Sequence, residues 1–304
     1  MTDHVTGPLR SSHLADEMSQ QPDNWVEAAG LVASYSDVLP RPGERVAMIG
    51  CGTSLFMAKA YASLREDAGL GETDAWSAST MPSTRRYDRL IALSRSGTTT
   101  EVLAALTAYG RASPVTVITS SVNTPILGMG QPILLPQFDE RSVVQTRFAT
   151  SVLALLRAHL GEDLTEVIAE ARDALAEPDT TYTDAREAEQ ITFVGMGLGA
   201  ALAQEAALKL REASQSWSES YLATEYRHGP ISISEPGRVV WALGPLIPHF
   251  ERDVARTGAR LEHRNVDPMA DLLLVQRLCV LRATDRGFDP DRPRSLTRSV
   301  VLDQ

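Results

Sequence analysis

Short apolar runs alternate with longer amphipathic stretches along the first half of the chain. The runs at 45–50 (RVAMIG), 88–94 (DRLIALS) and 114–120 (PVTVITS) have the length and composition of buried strands. A helical pattern follows the first run from Ser54 (SLFMAKAYASLRED), and another follows the second run from about Thr99. Strands that alternate with helices in this way predict a parallel sheet covered by helices.

The second half of the chain repeats the first strand, turn and helix. The segment VAMIGCGTSLFMAKAYASL aligns with ITFVGMGLGAALAQEAALKL, and matched positions lie 145 residues apart (46 against 191). The matched pairs are Val46 and Ile191, Gly50 and Gly195, Gly52 and Gly197, and Ala58 and Ala203. A fixed offset of this kind indicates two copies of one α/β unit. Little sheet-like sequence remains after RVVWALG and GARLEHRN, so we expect the second copy to be shorter.

A break between the two copies is predicted after a mostly helical stretch at 142–176. The segment EPDTTYTD (177–184) is the best candidate for a linker. We therefore predict two domains, an N-terminal arm with the first domain at 1–177 and the second domain with a C-terminal tail at 178–304. The predicted fold is α/β, with each domain a parallel sheet flanked by helices in three αβα layers. A chain of 304 residues is long enough for one large or two moderate domains.

Composition excludes several classes of protein. The net charge is −10, and an acidic chain is poorly suited to broad nucleic-acid binding. An apolar run of about 18 residues is absent and the opening MTDHVTGPLRSSH lacks a signal-peptide core, so we expect no membrane association and a cytoplasmic protein. Cys51 and Cys279 are too few for a disulfide framework or a cysteine-rich zinc site, and we expect no metal.

Hydroxyl side chains crowd the turn that follows the second predicted strand. The segment SRSGTTTEV (94–102) holds five Ser and Thr residues, so it either only caps a helix or also binds an anion. The loop GCGTS (50–54) follows the first strand, and ligands bind where the carboxyl ends of parallel strands meet. Hydroxyls, amides and helix N-termini at that edge can hold a phosphate. A P-loop lysine is absent, and Leu55 and Ala200 break the G-x-G-x-x-G pattern, which disfavours nucleotides.

Three charged residues fall on one face of the helix in the second copy. Glu205, Lys209 and Glu212 have the i, i+4, i+7 spacing of helix neighbours. One interpretation is a solvated stripe of ion pairs. The other is a catalytic group, favoured by the glycine-rich turn before the helix and by the segment ESYLATEYRHGP after it, in which His228 precedes Gly-Pro in a predicted loop. A carboxylate or an imidazole can act as a general acid or base near neutral pH.

The motifs CGTS, LSRSGTTTEV and EAALKLRE…EYRHGP together resemble those of the sugar isomerase (SIS) family. The likeness extends over nearly the whole chain. Its tandem arrangement is similar to the isomerase domain of glucosamine-6-phosphate synthase and to stand-alone phosphosugar isomerases and deaminases. The resemblance implies a phosphosugar site with contacts from Thr53, Ser54, Ser94, Arg95, Ser96, Thr99, Gln145 and Arg298. Arg95 stands where the family often has Gln, and Gln145 stands where it often has Ser.

The same resemblance implies catalytic roles for the charged helix face. Glu212 would be the proton-shuttling base, Lys209 would support the sugar oxygens or the enolate, and Glu205 would position the groups nearby. His228 would assist ring opening, reaching in from the second subunit of a homodimer with a shared active site. The resemblance implies no cofactor.

Departures from the family pattern narrow the expected activity. Arg298 stands where the synthase has a tail lysine that forms an imine, and a guanidinium cannot form a Schiff base. Thr2 replaces the N-terminal cysteine nucleophile, and we expect no glutamine-dependent amination. The expected activity is that of a phosphosugar isomerase or deaminase, which moves a proton through an enediol or enolamine of a hexose or amino-hexose phosphate. The alternative is a non-catalytic phosphosugar-binding regulatory protein.

Overall fold

The computed structural model describes residues 12–110 and 112–302. Within these residues the strands are β1 (Val46–Gly50), β2 (Thr73–Ser77), β3 (Arg89–Leu93), β4 (Val115–Thr119), β5 (Gln131–Leu134), β6 (Gln190–Gly195), β7 (Trp217–Leu222), β8 (Val239–Leu243) and β9 (Arg260–His263). The helices are α1 (His13–Ser19), α2 (Gln21–Gly30), α3 (Val32–Tyr35), α4 (Thr53–Asp67), α5 (Thr100–Tyr109), α6 (Arg147–His159), α7 (Thr165–Ala176), α8 (Thr183–Glu187), α9 (Leu198–Ser214), α10 (Ala223–Tyr226), α11 (Phe250–Ala255) and α12 (Pro268–Asp285).

The described residues form two compact units, each built on its own sheet. The five-stranded unit comprises the described residues of 23–140, 147–164 and 297–302. The four-stranded unit comprises 12–22, 141–146 and 165–296. The predicted α/β fold of parallel sheets flanked by helices is confirmed. The predicted division into domains at residue 177 stays a prediction.

In the five-stranded unit the sheet has the order β2-β1-β3-β4-β5, and all of its pairs are parallel. Strands β1, β3 and β4 are buried along their whole length, as expected for parallel strands covered on both faces. Ala47, Ile49 and Leu90 pack in one cluster with Val102 and Leu106 of α5. Alternate side chains point to the other face of the sheet, and α4 packs on the sheet and against α6.

In the four-stranded unit the sheet has the order β7-β6-β8-β9, again with parallel pairs. Strands β6 and β8 are buried throughout. Val194 and Val240 pack in one cluster with Tyr226 of α10 and Phe250 of α11. Helix α9 contacts β6, β7 and β8, and α12 packs against both α9 and α7. This packing fixes the face of α9 that holds the three charged residues.

The segments around residue 180 and before His228 form short elements of their own. The candidate linker at 177–184 is helical, because a 3₁₀ turn at Asp179–Tyr182 runs into α8. Pro178 and the acidic Asp179 suit the start of a helical turn. The segment ESYLATEYRHGP contains most of β7 and all of α10, and His228 lies in the turn that follows α10, as predicted. Among the described helices we find none with an apolar stretch long enough to cross a membrane.

Candidate functional site

A glycine turn joins β1 to α4 and presents two hydroxyl residues at the start of the helix. Gly52 has φ +54°, a conformation that favours glycine. A Cβ on Gly50 would lie 2.8 Å from the Ser54 backbone, so this close approach also requires glycine. Thr53 and Ser54 are therefore held, buried, in the first turn of a 15-residue helix. Helix N-termini of this kind attract anions.

The hydroxyl loop between β3 and α5 is closed by its own hydrogen bonds. The Ser94 hydroxyl lies 3.1 Å from the Thr99 hydroxyl and accepts a bond of 3.1 Å from the Gly97 amide. Gly97 has φ +64°, which lets the chain reverse at that point. Ser94 is buried, whereas Ser96 and Thr99 are partly exposed. The loop thus presents Ser96 and Thr99 as the more accessible of its predicted phosphate contacts.

The C-terminal segment 297–302 lies against this hydroxyl loop. The Ser96 hydroxyl donates a bond of 2.9 Å to the Ser299 hydroxyl, which also lies 2.9 Å from the Thr98 hydroxyl. The Thr100 amide donates to the Val300 carbonyl at 3.3 Å. A phosphate at this loop would therefore replace hydrogen bonds that the loop makes to the C-terminal segment.

The structure pairs Arg95 and Arg298 with two consecutive acids. The Arg95 guanidinium forms an ion pair of 3.1 Å with Glu140, and these side chains are 1% and 0% exposed. Arg298 forms an ion pair of 2.5 Å with Asp139 and donates to the Glu140 carbonyl. Arg95 also donates to the Arg298 carbonyl at 3.2 Å. The two acids were absent from the sequence prediction, and the phosphate contacts assigned to Arg95 and Arg298 stay predictions.

The charged face of α9 is buried. The Lys209 ammonium lies 3.6 Å from a Glu205 carboxylate oxygen and forms a second, shorter ion pair with Glu212. The Glu205 and Lys209 side chains are each 2% exposed, and the Glu212 side chain is 18% exposed. A solvated stripe of ion pairs does not fit this burial, because burying charges is costly unless they are paired. Of the two carboxylates, Glu212 is the one that a ligand in solvent can reach.

A buried thiol lies close to the same group. Cys279 of α12 is 1% exposed, and burial raises the pKa of its thiol far above its ordinary value. The charges of Lys209, Glu212 and Glu205 act on this thiol, in opposite directions according to their sign. A thiol that keeps its proton is a poor nucleophile, so Cys279 is poorly suited to nucleophilic chemistry.

Gln145 lies in a short segment that a buried carboxylate holds in place. Glu17 of α1 accepts hydrogen bonds from the Arg141 amide at 2.5 Å and from the Ser142 amide at 3.4 Å. The Gln145 side-chain oxygen is buried and has no hydrogen-bond partner among the described residues. An unpaired buried oxygen is costly, and the substrate contact assigned to Gln145 stays a prediction. The sequence prediction gave Glu17 no role.

His228 does not lie on α9. It is exposed in the turn after α10, and its backbone amide donates to the Glu225 carbonyl at 2.9 Å. In the part of the chain that the structure describes, the imidazole makes no hydrogen bond or ion pair. Of the predicted site residues, Glu205, Lys209 and Glu212 contact one another on α9. Ser94, Ser96 and Thr99 lie together in the hydroxyl loop of the other unit.

Comparison with curated proteins places the chain among relatives of one enzyme. It is 25% identical over 333 residues to the glutamine–fructose-6-phosphate aminotransferase (isomerizing) of Methanothermobacter thermautotrophicus, an alignment that covers 92% of this chain and 54% of that protein. The enzyme of the same name from Streptococcus pneumoniae is 25% identical over 354 residues, an alignment that covers 96% of this chain and 58% of that enzyme. The chain thus spans about half the length of these relatives. No family model matches it.

Solved structures share the fold over almost the whole chain. Glucosamine-6-phosphate deaminase from Thermotoga maritima has a TM-score of 0.75 at 23% identity and covers 96% of this chain and 100% of its own. Tagatose-6-phosphate ketose/aldose isomerase from Escherichia coli has a TM-score of 0.78 at 16% identity, with 99% of each chain covered. The chain is therefore homologous to glutamine–fructose-6-phosphate aminotransferases and has the α/β fold of these two enzymes.

Proposed function

We propose that the chain is a member of the sugar isomerase family with two SIS-type domains, and that it is a phosphosugar isomerase or deaminase. Its substrate would be a hexose or amino-hexose phosphate. The observation that carries the proposal is the buried Glu205–Lys209–Glu212 group in a chain homologous to an isomerizing aminotransferase. The shared fold of a glucosamine-6-phosphate deaminase and a ketose/aldose isomerase supports the reaction class.

Glu212 is suited to transfer the proton between C2 and C1 of the open-chain sugar. Its carboxylate takes the proton from C2 of the aldose, which leaves an enediol or, with nitrogen at C2, an enolamine. Return of the proton to C1 gives a ketose or a C2 imine, and water hydrolyses the imine to ketose and ammonia. Lys209 can stabilise negative charge that develops on O1, because its ammonium lies beside Glu212. Glu205 holds that ammonium from the other side.

The phosphate would bind to the hydroxyl loop and the start of α4. Ser94, Ser96 and Thr99 offer hydroxyl donors, and Thr53 and Ser54 lie in the first turn of a long helix. In the proposed complex the Ser96 hydroxyl exchanges its bond to the C-terminal segment for a bond to the charged phosphate. Hydrogen bonds to a charged group are stronger than those between neutral hydroxyls, which favours the exchange.

His228 would open the sugar ring from the partner subunit of a homodimer. Its exposed imidazole, which has no side-chain partner among the described residues, supports this role. The test mixes His228→Ala and Glu212→Gln subunits after separate purification. If each site uses His228 of one subunit and Glu212 of the other, re-associated dimers recover about a quarter of wild-type activity. A mixture as inactive as its components would show that both residues come from one subunit.

The test of the proposed reaction follows three products together. Purified protein is mixed in deuterated water with glucosamine 6-phosphate, glucose 6-phosphate or fructose 6-phosphate, and ammonia, interconverted hexose phosphate and deuterium at C1 and C2 are measured. We expect Glu212→Gln to abolish deuterium exchange and to leave sugar-phosphate binding within about twofold, because Glu212 contacts the reacting carbons and not the phosphate. The matched control is Glu251→Gln on the exposed side of α11. This variant should catalyse deuterium exchange at the wild-type rate.

Two outcomes would contradict the enzymatic proposal. Unchanged exchange in the Glu212→Gln variant would remove that carboxylate from its role. Binding of the sugar phosphates without exchange, ketose or ammonia in the wild type would support the non-catalytic regulatory protein instead.

A further inference from the structure

A cavity of about 400 Å³ lies in the five-stranded unit, between residues 78–86 and the outer face of α5. None of the hydroxyl-loop residues 94–99 lines it. The proposed phosphosugar reaction makes no use of this space. A volume of this size is within the range of small-molecule sites in proteins.

Small side chains on α5 leave the cavity open. Ala104, Ala105 and Ala108 form its apolar wall, and Tyr109 and Met81 add to it. These helix positions recur at the three- and four-residue spacing that keeps side chains on one face. The segment opposite them, MPSTRR (81–86), has no helix or strand. Among the described residues no large side chain fills the gap, so the wall is open to a ligand.

The cavity also has charges of opposite sign. One carboxylate oxygen of Glu101 is buried and has no hydrogen-bond partner among the described residues. Arg85 is held at the rim by an ion pair of 2.6 Å with Asp74 and stacks 4.9 Å above the Trp76 ring. Arg86 is exposed, and in the described residues its guanidinium forms no ion pair. Glu101, which has this unpaired oxygen, and Arg86 therefore both line the cavity.

We propose that this cavity binds a small zwitterion, a compound that has an amine and a carboxylate on a compact apolar body. The ammonium would donate to the buried oxygen of Glu101, which otherwise lacks a partner. The carboxylate would pair with Arg86, and the apolar body would cover the alanines of α5. A sugar fits this wall poorly, because its hydroxyls would find no partners on alanine side chains. A simple cation fits poorly as well, because two guanidinium groups border the cavity.

The test uses four probes with six carbons each, so that size stays constant while charge changes. Norleucine and 6-aminohexanoate carry both charges at different separations, hexylamine carries only the amine, and hexanoate carries only the carboxylate. Binding to the full chain is measured by calorimetry and by saturation-transfer NMR. We expect at least one zwitterion to bind about tenfold more tightly than either singly charged probe, as expected for loss of one hydrogen bond between charged groups.

Three variants identify the site. Glu101→Gln should abolish the gain in affinity that the amine gives a probe, and Arg86→Gln should abolish the gain that the carboxylate gives. Ala108→Trp should block all four probes by filling the cavity. Thr107→Ala is the control, because Thr107 lies on α5 but does not line the cavity. Circular dichroism confirms that each variant is folded before binding is measured.

The proposal is overturned if no zwitterion shows saturable binding, or if the folded Ala108→Trp variant binds like the wild type. Phosphosugar turnover is not involved in either measurement, so the outcome is independent of the proposed function.

Discussion

Asp271 of α12 is a buried carboxyl whose ionisation should make the stability of the protein depend on pH. It is 0% exposed and accepts hydrogen bonds of 3.2 Å from the Trp241 indole at both oxygens. Burial raises the pKa of Asp271 from 3.8 to about 7. The Arg264 guanidinium, 3.9 Å away, and the indole lower this pKa, whereas Glu177 and Glu262 raise it further. The effect of burial on the pKa of Asp271 is therefore larger than the opposite effect of Arg264 and the indole.

The sign of the effect follows from proton binding in the two states. Between about pH 4 and pH 7 the folded state keeps the Asp271 proton that the unfolded state has released. The free energy of unfolding should therefore fall as the pH rises through this window. The decrease should be complete above pH 7. A pKa displaced from 3.8 to about 7 corresponds to about 4 kcal/mol as an order of magnitude.

The substitution Asp271→Asn tests this reasoning, because asparagine keeps an oxygen acceptor for the Trp241 indole but cannot ionise. Urea unfolding is followed by circular dichroism at pH values from 4.5 to 8.5. The variant should be more stable than the wild type at pH 8, by about 2 kcal/mol or more, and should approach it at pH 4.5. Asp173→Asn, at an exposed position of α7, is the matched control and should keep the pH dependence of the wild type. Parallel pH profiles for Asp271→Asn and the wild type would refute the argument.

Two further variants test the hydroxyl loop and the packing of α9. Replacing Ser96 and Thr99 together by Ala should weaken binding of glucosamine 6-phosphate by about tenfold or more, because two hydrogen-bond donors to a charged group are lost. Calorimetry should show that binding of glucosamine is unchanged. Equal weakening of both ligands would show that the loop does not contact the phosphate. Gly199→Ala would place a Cβ 2.2 Å from a backbone oxygen and should lower the free energy of unfolding by about 1–3 kcal/mol. The control Gly30→Ala has open space and should change it little; the reasoning fails if both glycine variants are equally stable in urea.

The central strands could be predicted from sequence because they are buried on both faces. Strands β1, β3 and β4 appear in the sequence as continuous apolar runs, and all three lie inside the five-stranded sheet. Strands β2, β5 and β7 were missed, and each is an edge strand of its sheet. They are half exposed, and their sequences TDAWS, QPIL and WSESYL mix polar and apolar residues. A strand that packs on one side and meets solvent on the other has no apolar run to identify it.

The site could be predicted only where its residues are close in sequence. Glu205, Lys209 and Glu212 occupy one helix, so their contacts follow from helical spacing. The partners of Arg95 and Arg298 could not be found in this way, because Arg95 pairs with Glu140, 45 residues later, and Arg298 binds an acid 159 residues earlier. Adjacent acids in QFDERS were the only local signal for these pairs.

The repeated glycine turn shows that one backbone conformation can precede two different helix starts. Gly52 has φ 54° and ψ −127°, and Gly197 has φ 51° and ψ −122°, so the turns before α4 and α9 have almost the same conformation. After the first turn come Thr53 and Ser54, whereas the second continues into Leu198 and glycine. Only the first turn therefore offers side-chain donors to a phosphate. Helix α9 instead has Glu205, Lys209 and Glu212 two to four turns further along.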